Sequence, residues 1–218
     1  MLLGSCFAFV SDAIFTCRNV AIEGNSLVSR EEVLAASGLR PGMNLLTVVP
    51  PLVRNRLLRL PAIKEATVEL KLPDTIRIAL KERNKFALYN SGGKFFFLDE
   101  VGTVLGQTRA DASLPIVSYV GEEVVRIGDQ PPPAVNGLRV IRATAELAPR
   151  ISEVSCDASY GMRLFLREGT CVELGQADSS LESRCRTAVE VINHLKDLST
   201  VKKIDVRFSK PVITGVIP

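Results

Sequence analysis

Apolar and polar residues alternate strictly in two neighbouring runs. Ala66, Val68 and Leu70 interleave with Thr67, Glu69 and Lys71; Ile76, Ile78 and Leu80 interleave with Arg77 and Lys81. A period of two places one set of side chains on a single face of a strand. Between the runs, Leu72-Pro73-Asp74-Thr75 offers a fixed φ and an Asp able to bond its own backbone. The pair predicts a β-hairpin with one dry face, and because a lone hairpin is marginal in water, that face needs a cover. Two helical patterns upstream supply it. Ser29 and Glu32 form a capping box ahead of Val33, Leu34, Ala35 and Ala36, with Gly38 suited to a left-handed C-terminal position. Pro50 and Pro51 suit a first helical turn, and Leu52, Val53, Leu57, Leu58 and Leu60 follow at helical spacing until Pro61. Residues 17–23, where Val20 and Ile22 alternate with polar neighbours, add a short strand. The order strand, helix, helix, strand, strand predicts two helices on one face of a three-stranded sheet. Its outer strand, residues 63–71, is guarded by Lys64, Glu65, Glu69 and Lys71.

After Arg83 the pattern changes. Residues 86–89 and 94–98 read as a hairpin around Asn90-Ser91-Gly92-Gly93, and Asp99 to Gly102 as a tight turn before Thr103-Val104-Leu105. Residues 116–120 are strand-like, and residues 121–135, with Pro131, Pro132 and Pro133, read as loop. Leu138, Ile141, Ala145 and Leu147 predict a helix stopping at Pro149. Residues 151–156, 162–167 and 170–174 form a meander. Ser179 and Glu182 then predict a second capping box, opening a helix with the inner stripe Leu181, Cys185, Ala188, Val189, Ile192 and Leu195. Residues 203–217 close the chain. The fold class is α+β, with a largely antiparallel second domain carrying two helices. The boundaries fall at 1–16, 17–84 and 85–218.

Composition narrows the function. An apolar content of 46% in 218 residues describes a folded chain, and a net charge of +3 with scattered Lys and Arg gives no basic stripe for nucleic acid. Five Cys without C-x-x-C spacing indicate neither a zinc site nor a disulfide scaffold. By strand parity Cys156 and Cys171 point to opposite faces, which argues against a bridge between them. The sole histidine, His194, lies on the polar side of its helix, a surface position. No phosphate-cradling glycine loop is present, because Gly92-Gly93 lies in a hairpin. Residues 1–15 are apolar but broken by Ser11 and Asp12. As a helix they reach roughly 22 Å against a hydrocarbon core of ~30 Å. They read either as the end of a membrane helix or as a short buried or interfacial segment.

The chain resembles the extracytoplasmic part of the FtsQ/DivIB cell division family. The resemblance rests on Val20-Ala21-Ile22-Glu23-Gly24-Asn25, Leu60-Pro61-Ala62-Ile63-Lys64-Glu65-Ala66-Thr67-Val68, Leu72-Pro73-Asp74-Thr75-Ile76-Arg77-Ile78, Glu82-Arg83, Leu98-Asp99-Glu100-Val101-Gly102 and Ile204-Asp205-Val206-Arg207-Phe208. It implies a polypeptide-transport-associated (POTRA) domain followed by a β-domain, with residues 1–16 as a truncated membrane anchor. It also implies a single-pass protein of the cytoplasmic (inner) membrane whose folded body lies in the periplasm at the division septum.

For function the resemblance implies recognition without chemistry: no enzyme activity, cofactor, metal, nucleic acid or small-molecule substrate. The implied partners are the membrane and the divisome proteins FtsB and FtsL, with a strand of FtsB added to the closing strand, residues 208–216. Phe208 would be the aromatic anchor and Arg207 a charge partner, with Lys210, Val212, Gly215 and Val216 as flanking contacts. The plainer reading makes Phe208 a core residue of a terminal strand. Pro211 lacks an N–H, which confines strand addition to one side of it. Glu82, Arg83 and Asp99 are expected to fix the domain junction and a turn. The alternative function is a POTRA-bearing chaperone or secretion component feeding an outer-membrane barrel.

Overall fold

The computed structural model describes residues 15–110, 113–121, 123–195 and 197–215. They form two compact units, the first ending at Arg83 and the second beginning at Asn84.

The first unit contains β1 (Asn19–Glu23), α1 (Arg30–Ser37), α2 (Pro50–Leu57), β2 (Ile63–Lys71) and β3 (Thr75–Glu82). The sheet order is β1-β3-β2, with β1 parallel and β2 antiparallel to β3. Val20 stands opposite Ile76, and Ile78 lies between Ile22 and Val68. This is the dry face inferred from alternation; Val20, Ala66, Ile76 and Ile78 are buried, as are Val33, Val53 and Leu57 of the covering helices. The Ser29 box forms in both directions, with Ser29 Oγ 3.2 Å from Glu32 N and Glu32 Oε2 2.9 Å from Ser29 N. Glu82 holds the loop ahead of α1: its carboxylate accepts the amides of Ser26, Leu27 and Val28 at 2.9, 2.8 and 2.9 Å. A carboxylate beside three converging N–H groups satisfies donors that a tight loop leaves orphaned.

The second unit contains β4 (Ala87–Ser91), β5 (Lys94–Leu98), β6 (Val104–Thr108), β7 (Ile116–Val120), α3 (Pro132–Ala143), β8 (Ile151–Asp157), β9 (Gly161–Leu166), β10 (Cys171–Gly175), α4 (Leu181–His194), β11 (Lys203–Asp205) and β12 (Val212–Thr214). These strands make a nine-stranded sheet in the order β12-β11-β10-β9-β8-β7-β4-β5-β6. Most neighbours are antiparallel, but β4-β7, β7-β8 and β10-β11 are parallel. Parallel neighbours need a crossover. That requirement explains both helices: α3 carries the chain from β7 to β8, and α4 carries it from β10 to β11. A buried row runs across the sheet through Ile204, Val172, Leu164, Val154, Val117, Tyr89 and Phe96. Gly137 lets α3 approach it, since a Cβ there would lie 2.3 Å from Val117 Cγ1.

Three local expectations are corrected. Helix α3 begins at Pro132, inside the segment read as loop, because prolines at the first helical positions give up no intrahelical bond. It ends at Ala143, and a separate 3₁₀ turn, Ala145–Arg150, carries Pro149. The second capping box does not form. Helix α4 starts one residue later than that box requires, so Glu182 falls at its second position and pairs with Arg139 at 2.7 Å. Asp178 organises the entry instead, accepting Ser180 N at 2.9 Å and Ser180 Oγ at 2.7 Å. Asp99 does form the expected turn, accepting Val101 N at 3.0 Å and Thr103 N at 2.8 Å. Cys17, Cys156, Cys171 and Cys185 are free thiols. Cys156 is buried on the helix-covered face, and burial pushes its thiol up to about 12.

Candidate partner-binding edge

The closing strand is the rim of the large sheet. Cys171 N donates to Lys202 O at 2.9 Å, and Val206 N donates to Glu173 O at 3.1 Å. Residues 202, 204 and 206 therefore turn their backbone groups toward β10, and Lys203 and Asp205 turn theirs toward β12. Those two stand opposite Thr214 and Val212, while Ile204 stands opposite Ile213. Alternation in an antiparallel pair then directs the polar groups of Val212 and Thr214 at β11, and the N–H and C=O of Ile213 away from the sheet. The carbonyl of Pro211 and the N–H of Gly215 complete this outward row. The N–H that Pro211 lacks is on the outward side, so the ladder to β11 loses nothing. Proline is tolerated in an edge strand on these terms.

A short turn delivers the chain to this rim, and ionic contacts hold it. Asp205 Oδ1 accepts Arg207 N at 3.0 Å and Arg207 Nε at 2.9 Å, while Oδ2 lies 2.6 Å from Arg207 Nη2. Arg207 Nη2 is also 2.6 Å from Glu173 Oε2, and Lys203 Nζ is 2.7 Å from Glu173 Oε1. The Arg207 hydrogen bond, against a smaller opposing effect of burial, holds the Asp205 carboxyl below its ordinary range. Asp205 in turn raises Arg207. Gly175 makes room for this arrangement. Its φ is +76°, and a Cβ would lie 3.1 Å from Arg207 Cγ. A paired Asp and Arg two residues apart thus lock the exit of β11 and aim residues 208–211 toward β12.

The structure places the residues singled out from sequence as follows. Arg207 is engaged within the fold, by Asp205 and Glu173. Phe208 is 63% exposed, so the core reading of it fails, and the Arg207 guanidinium sits 5.6 Å from its ring centre. Lys210 is exposed and has no ion pair among the described residues. Val212 is 47% exposed on β12, and Gly215 follows with a φ of +77°. Val216 lies outside the described residues, as do residues 1–14. Sequence reasoning passed over Ile213, whose side chain is 39% exposed, and the positioning pair Asp205 and Glu173. An Asp followed two residues later by Arg was the available signal for the turn. His194 is exposed at the end of α4, its Nδ1 2.7 Å from Glu190 O. Among the described residues no helix is long and apolar enough to cross a membrane.

Comparison with known proteins agrees with this architecture. Residues 15–83 match the model of the FtsQ-type POTRA domain, and residues 87–207 match that of the C-terminal part of cell division protein FtsQ/DivIB. Cell division protein DivIB of Clostridium acetobutylicum is 23% identical over 201 residues, covering 89% of this chain and 80% of that protein. Cell division protein FtsQ of Anaeromyxobacter sp. (strain K) is 30% identical over 169 residues, covering 74% of this chain and 57% of that protein. Its counterpart from Caulobacter vibrioides is 30% identical over 172 residues, covering 77% and 54%. The chain spans little more than half the length of these two FtsQ proteins. The second match ends at Arg207, so β12 lies beyond it. With a POTRA unit and a nine-stranded β-unit each matching its model, the latter over more than half of the sequence, this chain belongs to the FtsQ/DivIB family of cell division proteins.

Proposed function

We propose that the chain is a single-pass envelope scaffold of the division machinery that binds FtsB, together with FtsL, by accepting a strand on the outer side of β12. In this reading residues 1–16 belong to an anchor in the cytoplasmic membrane, and the folded units work in the periplasm at the septum. The observation that carries the reading is the open rim of β12. Its outward carbonyls at 211 and 213 and N–H groups at 213 and 215 form a ladder without a partner strand among the described residues. The exposed side chains of Phe208, Val212 and Ile213 lie beside it. Backbone pairing supplies affinity to such an addition, and alternate side chains supply specificity. Pro211 limits the ladder to positions 213 and 215 on the donor side.

The test replaces Phe208→Ala together with Val212→Lys and measures binding of an FtsB periplasmic peptide by calorimetry. Loss of the anchor and a charge on the rim are expected to raise Kd on the order of a hundredfold. Because both side chains are exposed, the thermal midpoint should hardly move. Unchanged affinity in a folded double variant removes the proposal.

A further inference from the structure

The first unit carries an exposed apolar patch that the partner-binding edge does not use. Leu46, Val49 and Leu52 are 57%, 50% and 55% exposed, in the 3₁₀ turn Leu45–Thr47 and the start of α2. Val49 and Leu52 line a groove of about 170 Å³ together with Leu39, Met43, Val48 and Val53, and Leu46 precedes Thr47 of the same lining. Apolar side chains exposed together on a folded unit mark a candidate docking surface. The stretch of sequence that carries it holds charge of one sign. Residues 33–64 contain Arg40, Arg54, Arg56, Arg59 and Lys64 and not one Asp or Glu. Arg56 lines the groove, Arg40 adjoins it through Leu39, and none of the four arginines is ion-paired among the described residues. Two of them spend a donor on backbone: Arg54 Nε on Ala66 O at 3.1 Å, and Arg56 Nη1 on Ser37 O at 3.2 Å.

The position of the patch in the chain selects its occupant. The described chain starts at Phe15, whose carbonyl accepts Leu45 N at 2.7 Å, one residue from Leu46. Thr16 bridges Asn44. Phe15, the last residue of the apolar run 1–15 in the sequence, thus stands at this corner of the unit. Exposed apolar side chains with Arg56 in their groove, Arg40 beside it in sequence and Phe15 at the same corner match the interface of a bilayer with anionic headgroups. We infer that the patch of Leu46, Val49 and Leu52 rests on an anionic phospholipid surface, its leucines and valine at the acyl boundary and Arg40 and Arg56 at the phosphates. The sheet face bearing Thr67, opposite to the helices, then looks away from the bilayer.

The chain has no Trp, so one introduced indole reports on one place. Leu52→Trp and, as a control, the exposed Thr67→Trp are made in the full chain and mixed with vesicles of phosphatidylglycerol and brominated phosphatidylcholine. The expected result is a blue shift and bromine quenching at position 52, absent at position 67 and several-fold weaker without phosphatidylglycerol. Val49→Trp serves as a second reporter and should follow position 52. Equal quenching at 52 and 67, or none at 52, overturns the inference. So does a blue shift at 52 that grows with protein concentration in the absence of lipid, which would assign the patch to a second copy of the chain.

Discussion

Strands β2 and β12 are both rims of sheets, but they are protected in different ways. Strand β2 is nine residues long and carries Lys64, Glu65, Glu69 and Lys71, three of which are ion-paired on its exposed face, Glu65 with Lys81 of β3 at 2.9 Å and Glu69 with Lys71 along the strand at 2.9 Å. An incoming strand would have to strip water from these charges, which is how long edges avoid unwanted pairing. Strand β12 is three residues long, and residues 211–215 hold no charge. Its protection is brevity and Pro211, devices that limit the length of an added strand without repelling one. The contrast separates an edge built to stay single from an edge that offers a short window of two donors and two acceptors.

The contrast breaks most sharply at Ile213. Ile213→Pro deletes only an outward donor, because Val212 and Thr214 keep the ladder to β11. Affinity for the FtsB peptide should fall roughly tenfold to a hundredfold, the effect of an unsatisfied backbone partner. Calorimetric titration against the wild type measures it, and equal affinity would mean that the outward groups are not used. The next effect is on stability. Asp205→Asn deprives Arg207 of one of its two carboxylate partners, leaving Glu173 alone to hold it, and should cost about 1–2 kcal/mol in urea unfolding. It should also change the acid limb. The folded Asp205 carboxyl titrates below its unfolded value, so its contribution is complete above that value and fades as pH falls through the folded one. The wild type should thus lose stability on acidification below about pH 4, and the variant should lose less. The smallest effect is expected on β2. Replacing Lys64, Glu65, Glu69 and Lys71 with Val should leave the unit folded but raise self-association, seen as a larger sedimentation coefficient at high concentration. A strictly monomeric variant would show that the charges guard nothing.

Much of this could be read from local pattern, and what could not has a physical reason. The Ser29 box and the hairpin around Asp74 depend on neighbours within a few residues, so spacing alone specified them. The start of α3 was missed because three successive prolines are equally at home in a loop and in a first helical turn. The second box was misplaced by one residue because Glu182 is drawn to Arg139, forty-three residues away in sequence. Hairpin neighbours could be read from the chain, but the order of strands joined by crossovers could not. That β7 lies between β4 and β8 depends on two crossovers and on register across the sheet, which no local period encodes. The candidate edge shows both sides of this limit. Phe208, Val212 and Gly215 could be named from the resemblance. The outward direction of Ile213, and the anchoring of Arg207 by Asp205 and Glu173, required the ladder itself.

Amide hydrogen exchange at single-residue resolution addresses the open rim most directly. In the free protein Val212 and Thr214 should be protected by their bonds to β11, while Ile213 and Gly215 exchange freely. Saturating FtsB peptide should slow Ile213 and Gly215 by at least an order of magnitude and leave Val212 and Thr214 little changed. Free exchange at Ile213 and Gly215 in the peptide-saturated protein would contradict the account.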